Sequence, residues 1–245
     1  MSFIEVRQVD KSVEVSFARS PVNALNLPLL KELHNFLDNI PASTNLIIFS
    51  GGNSKFFSFG LDIPELLEKS RDEVKEIIIS LLNLCKKIYL LDQITIAKIN
   101  GHATGGGCMI ALSTDFRFMI NNKSKIALNE INIGLSLFES TIEILKEVVG
   151  NKNAKEILLG GKLLSVDQAI NLSLVDTKYD DENFFSNIIE DFSKKELNII
   201  KDMKDKIRSK NKSALIDKDD SIEKFLDIFY INETQEKLKK IKIKK

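Results

Sequence analysis

Two short, almost unbroken apolar runs constrain this 245-residue chain most: Leu46-Ile47-Ile48-Phe49 and Ile94-Thr95-Ile96-Ala97-Lys98-Ile99. Runs of this length, ended by Gly or Asn (Gly51-Gly52-Asn53 and Asn100-Gly101), read as strands buried on both faces, as parallel sheets require. Amphipathic stretches surround them. Leu29, Leu30, Leu33, Phe36, Leu37 and Ile40 form a helical stripe behind an Asn26 cap, with Pro28 in the first turn. Further helix is predicted near 64–70, 72–91, 108–112, 138–149, 151–159 and 166–171, with a stop at Gly150 and a capping box at Ser165 and Gln168. The remaining strand candidates are a hairpin turning at Asp10-Lys11-Ser12 with Ile4, Val6, Val13, Val15 and Phe17 on one side, then Phe116–Ile120, Ile126–Leu128 and Leu174–Asp176. Strands that keep alternating with helices imply an α/β core with helices packed on sheets.

Hydrophobic residues make up 43% of the chain, enough to bury a core and exclude a disordered protein. Lysine and arginine number 35 and so do the acids, so no whole-chain basic field exists to gather nucleic acid. Two cysteines make no disulfide framework, and Cys85 and Cys108 have no metal-ligand spacing. No apolar run approaches the roughly 20 residues that span a bilayer, and the start has no secretory or transit pattern. A cytoplasmic protein without metal, membrane or nucleic-acid partner is the expectation. Strand signals nearly stop after residue 180, which divides a core at 1–180 from a Lys-rich helical region at 181–245. Two stripes in that region, Phe184, Phe185, Ile188, Ile189 and Phe192, then Ile222, Phe225, Leu226 and Phe229, are expected to need a partner surface.

Asn100-Gly101-His102-Ala103-Thr104-Gly105-Gly106-Gly107 stands between a predicted strand and a predicted buried helix. Consecutive glycines lose much backbone entropy on folding, so they need a structural reason. One is close approach of a ligand to the unpaired N–H groups of a helix start, a place that stabilises an anion. A tight packing turn serves equally well on spacing alone. Neither the dinucleotide-binding nor the phosphate-loop glycine spacing is present. Phe56-Phe57-Ser58-Phe59-Gly60-Leu61-Asp62 is a second loop of this character, or else folds its aromatics into the core.

Taken in order, Val22-Asn23-Ala24-Leu25-Asn26, Phe57–Ile63, Ile96–Cys108 with Asp115-Phe116-Arg117, and Gly160–Ser165 running to Leu174-Val175-Asp176 resemble the crotonase (enoyl-CoA hydratase/isomerase) superfamily across residues 3–176. Ser173 stands where glycine is usual. The resemblance implies a spiral of ββα turns and a helical C-terminal region that forms a homotrimer or a dimer of trimers. It implies an acyl-CoA thioester substrate, no separate cofactor, and an oxyanion hole made by the backbone N–H groups of Leu61 and Gly106. Asn23, Ala24, Phe59, Gly60, Asp62, Ile63 and Gly105 fall on its CoA- and substrate-binding positions. Hydratases of the family carry two glutamates; here the first position is Met109 and the second Glu130. Water addition wants two acid–base groups, whereas a 1,3 double-bond shift needs one carboxylate to move a proton from C2 to C4. Losing the first glutamate resembles the Δ3,Δ2-enoyl-CoA isomerases, as do Leu128-Asn129-Glu130 and Leu135-Ser136-Leu137-Phe138. The alternatives are a hydratase with another acid, a decarboxylase, a hydrolase, a carrier-protein-directed enzyme, or a silent acyl-CoA or RNA binder.

Weaker candidates complete the sequence reading. His102 can touch substrate, or pack and hydrogen-bond the backbone. His34 reads as solvated, Asp115 and Arg117 as structural, and Cys108 as a small buried hydrophobe. Glu139 and Glu143 suit a helix start or the pocket mouth. The basic stretch Lys237–Lys245 is a solvated helix end or a reach toward CoA phosphates.

Overall fold

The N-terminal alternation forms the expected hairpin, β1 (Ile4–Val9) and β2 (Ser12–Phe17), with Val6 opposite Val15. The computed structural model describes residues 2–52, 55–208, 215, 217 and 219–243; Asn53, Lys244 and Lys245 lie outside them. After β2 the chain repeats one pattern. β2 is followed by β3 (Ala24–Leu25) and α1 (Leu27–Asp38). β4 (Leu46–Gly51) leads to β5 (Phe56–Ser58), β6 (Gly60–Leu61), the single turn α2 (Ile63–Leu66) and α3 (Arg71–Leu90). β7 (Ile94–Ile99) leads to β8 (His102–Thr104) and α4 (Gly106–Leu112), then β9 (Phe116–Ile120) to β10 (Ile126–Ala127) and α5 (Glu139–Gly160). The first strand of each turn enters a six-stranded sheet, β1-β2-β4-β7-β9-β11, which ends in β11 (Thr177–Tyr179) and is parallel beyond the hairpin. The second strand enters the small sheet β10-β8-β5 or the β3-β6 pair. This is the spiral of ββα turns that the resemblance implied.

β4 and β7 are buried throughout because both faces of the large sheet are covered. Ile47, Phe49, Ala97 and Ile99 face the main core under α1, α3 and α4, while Leu46, Ile48, Ile94 and Ile96 alternate to the other side. That other face meets α7 (Asn183–Ser193) and α8 (Leu197–Arg208) through Phe184, Phe185, Ile188, Ile189, Phe192 and Ile200. Ile222, Phe225, Leu226 and Phe229 of α9 (Asp219–Phe229) join the main core, and Phe225 packs on Phe138 at a ring separation of 4.8 Å. α10 (Asn232–Leu238) follows. Both C-terminal stripes therefore pack on this chain's own sheet and core, Ile222, Phe225, Leu226 and Phe229 fully, but Phe184, Ile188, Ile189 and Phe192 only by half. The exposed apolar face in this region belongs instead to α8: Ile199, Met203 and Ile207 are 51, 59 and 70% accessible.

Two other expectations are corrected. Leu174 and Val175 do not form the last strand: both N–H groups turn back onto the Ala169 carbonyl behind α6 (Val166–Asn171), with Ser173 at φ +60°. Pairing with β9 begins at Thr177, once Asp176 has exchanged bonds with the Arg117 backbone. The stop at Gly150 is borne out: at φ +74° and ψ 160° it leaves the helical region and divides α5 into two helical segments. His34 is partly buried and its Nε2 pairs with the Ser80 carbonyl at 2.9 Å, tying α1 to α3.

Candidate active site

The Gly-rich corner where β6, β8 and α4 meet lies beside a cavity of about 470 Å³. Each of its three consecutive glycines has a separate cause. Gly105, at φ +52°, ends β8, and its carbonyl receives the Met109 N–H at 2.9 Å. A β-carbon there would stand 3.4 Å from Glu130 Oε1. At Gly107 a β-carbon would fall 2.5 Å from the Ser58 carbonyl oxygen, so only glycine lets α4 lie against β5. Gly106 opens the helix, where the first N–H groups have no partner within the helix. Its β-carbon position is 3.6 Å from the Leu61 nitrogen, so the two backbones are adjacent.

Leu61 N–H reaches this place through strand geometry. Phe59 and Asp62 N–H bond the carbonyls of Val22 and Leu25, so the Leu61 N–H between them turns away from β3 toward α4. Leu61 and Gly106 thus line the cavity with adjacent backbones, and two N–H groups aimed at one point there would hold a carbonyl oxygen as it gains charge. Thr104 Oγ1 bonds the Phe59 carbonyl at 2.8 Å and fixes β8 to this loop.

Asn23, Ala24 and Asp62 do not line the cavity; they hold its wall from behind. Asn23 is fully buried at φ +51°, and its Nδ2 donates to the carbonyls of Phe56 and Phe57. Ser58 Oγ donates to the Asn23 carbonyl at 2.7 Å. Asp62 caps α2 and pairs with Arg19 at 2.7 Å, while Arg19 also binds the Ala24 carbonyl. Phe59, Gly60, Leu61, Ile63, Gly105, Gly106 and Glu130 are brought together as cavity lining.

Glu130 begins a short 3-10 turn, Glu130–Ile133. Its Oε2 is shut off from solvent and has no hydrogen-bond partner among the described residues. Burial pushes its carboxyl up to about 7, opposed slightly by a backbone hydrogen bond. It is the one carboxylate among the described lining residues. Met109 also lines the cavity, one helical turn beyond Gly106. Most other walls are apolar, including Leu81, Leu135, Phe138 and Phe225.

His102, Lys125 and Phe56 line the more open side. The Lys125 N–H donates to His102 Nδ1 at 3.0 Å, which places the proton of the neutral ring on Nε2. Burial, then the charges of Lys55 and Lys125, holds this imidazole below its ordinary range. Both readings of His102 thus hold in part: it is backbone-bonded and it borders the cavity. Glu139 and Glu143 are absent from the wall, and Glu143 pairs with Lys146 instead. Asp115 receives the Thr95 N–H and pairs with Lys204 and Arg208, and Arg117 binds the Thr114 carbonyl and Asp176. Both therefore lock the sheet to its neighbours. In the basic tail, Lys237 and Lys239 pair with Glu233 and Glu236, and Ile241 reaches the cavity. Sequence spacing did not mark Phe225 or Ile241 as cavity lining; Phe225 stood in a stripe expected to need a partner surface.

The sequence profile described as enoyl-CoA hydratase/isomerase matches residues 10–240. Among curated relatives, the short-chain-enoyl-CoA hydratase of Clostridium acetobutylicum is 30% identical over 63% of this chain and 59% of its own length. Human mitochondrial enoyl-CoA delta isomerase 1 is 26% identical over 71% of this chain and 59% of its own. The aligned segments thus span about three fifths of these two relatives. Among solved structures, human mitochondrial delta3-delta2-enoyl-CoA isomerase superposes with a TM-score of 0.90 at 23% identity, covering 97% of this chain and 96% of that one. The enoyl-CoA hydratase of Bacillus halodurans gives 0.89 at 21% identity, covering 98% and 100%. At these identities the superpositions speak for the fold.

Proposed function

The chain belongs to the enoyl-CoA hydratase/isomerase family, and within it we propose an isomerase that converts a 3-enoyl-CoA to the conjugated trans-2-enoyl-CoA. The observation that carries this reading is a cavity with one carboxylate among its described lining residues, Glu130, whose Oε1 stands 3.4 Å from the β-carbon position of Gly105, beside the Gly106 and Leu61 backbones. The thioester carbonyl would sit between the N–H groups of Leu61 and Gly106. Removing a proton from C2 makes a dienolate whose oxygen those donors stabilise. Glu130 takes that proton and returns it at C4, so no net proton is consumed and no second base is needed. A carboxyl raised to about 7 is a stronger base than a solvated one and is still about half ionised at neutral pH.

Hydration would ask one group to activate water for attack at C3 and another to protonate C2, and Met109 can do neither. The test is a spectroscopic assay for conjugation of 3-hexenoyl- and 3-dodecenoyl-CoA, run beside a hydration assay on 2-enoyl-CoA. Isomerisation with little hydration is expected. Hydration as fast as isomerisation would refute the single-base reading.

The family resemblance also carries an assembly, a homotrimer or a pair of trimers. The exposed Ile199, Met203 and Ile207 stripe supports self-association, since an apolar helix face left in water is costly. Sedimentation at micromolar concentration tests it, and a monomer there would count against it.

A further inference from the structure

Between the glycine corner and the more open side, the cavity runs along β8. Side chains alternate there: Ala103 is fully buried, while His102 and Thr104 both reach the cavity. The donors around them are committed. The N–H groups of His102, Ala103 and Gly105 bond the carbonyls of Lys55, Lys125 and Ala127, and the Phe59 N–H bonds that of Val22. The Gly60 N–H goes to Ser58 Oγ, and the Thr104 hydroxyl donates to the Phe59 carbonyl. His102 Nε2 is different. Its ring is held by the Lys125 N–H on Nδ1 at 3.0 Å and by the Phe56 ring at a centroid separation of 5.3 Å. Nε2 therefore carries the proton, and it has no acceptor among the described residues.

A ligand lying along β8 would supply that acceptor. The imidazole stays neutral at physiological pH, because burial and the charges of Lys55 and Lys125 hold it below its ordinary range. A neutral donor suits a neutral carbonyl, whereas a phosphate would pair better with the Lys125 ammonium on the same side. Length selects the carbonyl. At about 3.3 Å per residue, β8 and the turn after it put His102 up to about 13 Å from Gly106. In an extended pantetheine arm the first amide carbonyl lies roughly 5 Å from the thioester sulfur and the second roughly 10 Å. A carbonyl that leaves water unpaired costs free energy, so the second amide needs a donor at this distance from the corner.

We propose that His102 is a substrate-binding residue whose Nε2–H donates to the second amide carbonyl of the pantetheine arm, counted from sulfur. The contact registers the arm on β8 and so fixes where the thioester meets the glycine corner. The ligand class rests on the acyl-CoA reading above, but the contact does not depend on which reaction follows.

Saturated thioesters, which bind without turnover, separate the parts of the ligand: hexanoyl-CoA, hexanoyl-pantetheine, and S-hexanoyl-N-acetylcysteamine, which ends at the first amide. Variants separate the ring nitrogens. His102→Asn keeps an acceptor for the Lys125 N–H and loses the outer donor, while His102→Gln keeps an outer donor and gives up the inner acceptor. Binding is measured by NMR titration. His102→Asn should weaken the CoA and pantetheine esters about three- to tenfold, the worth of a neutral hydrogen bond, and leave the N-acetylcysteamine ester unchanged. His102→Gln should restore most of that loss. A loss confined to the CoA ester would put the contact at the nucleotide end, and an equal loss for all the esters would make His102 structural; either overturns the proposal. So does wild-type binding by His102→Asn, or a His102→Gln no better than His102→Asn. Wild type that binds none of the esters would remove the acyl-CoA reading and the contact with it. Isomerisation of the matching 3-enoyl esters is measured in parallel: no turnover with the expected binding pattern would remove the isomerase reading and leave the contact standing.

Discussion

Two parts of the cavity lining are made of different material. One is backbone: the Leu61 and Gly106 amides, fixed by glycines, strand pairing and the Asn23 knot behind them. The other is side chain: Glu130, one carboxylate with an oxygen that lacks any hydrogen-bond partner among the described residues. The backbone wall should tolerate changes of side chain and resist changes of Cα geometry. The side-chain wall should behave oppositely, with charge deciding everything and shape little.

The sharpest test exchanges charge at constant shape. Glu130→Gln should bind acyl-CoA nearly normally and lose roughly 10²–10⁴-fold in turnover, the range for a general acid–base group. An unchanged rate would break the contrast at once. Next comes the geometry of the other wall. A β-carbon on Gly106 meets Leu25 Cδ1 at 3.0 Å and Leu81 Cδ2 at 3.1 Å, so the first obstacle is core side chains and not the substrate. Gly106→Val should lower the thermal midpoint as well as the rate. Gly106→Ala, to which two leucine tips can yield, is the cleaner variant. Twisting the amide away should cost up to about 3 kcal/mol, two powers of ten in turnover. Full activity in a folded Gly106→Ala and Gly106→Val pair would make the Gly run a packing turn only.

Titration sharpens the comparison further. The base form of Glu130 is needed, so kcat/KM should fall about tenfold per pH unit below about 7. Stability runs the other way. A carboxyl raised in the folded state is stabilised when protonated; that contribution is complete below the unfolded value of 4.5 and is lost as pH rises through about 7. Relative to wild type, Glu130→Gln should thus gain up to about 3 kcal/mol between pH 4 and pH 8.5, read by denaturant melts. No gain would mean that the carboxylate is not held in an apolar site. The smallest effect belongs to Leu61→Ala, which keeps its N–H and should stay within about threefold of wild type, since truncating this half-buried lining side chain removes no polar group. A hundredfold loss there would mean that the backbone wall depends on its side chains after all.

Much of the fold was legible because its causes are local. The apolar runs at 46–49 and 94–99 can only be buried strands, and Asn26 and Ser165 cap helices through their own side chains. The Gly corner was legible for the same reason. What spacing could not reveal is which surface a stripe covers. Phe184 and Phe185 were plainly apolar, but only the folded sheet shows that Phe118 and Tyr179 wait for them. Asn23 and Asp62 illustrate another limit. Their positions matched a binding pattern, yet their hydrogen bonds run to backbone and to Arg19, contacts no sequence interval encodes.

The cavity draws its walls from Phe56 to Ile241, and that span has a consequence for synthesis. Chains emerge from the ribosome N-terminus first, at about 5–20 residues per second. The β2-β4-β7-β9 ladder can pair as soon as Ile120 is out. Phe138, however, stays without its ring partner until Phe225 follows, more than eighty residues later. For several seconds the nascent protein therefore carries an assembled glycine corner beside an open apolar trough, the kind of surface a chaperone holds until α9 arrives to close it.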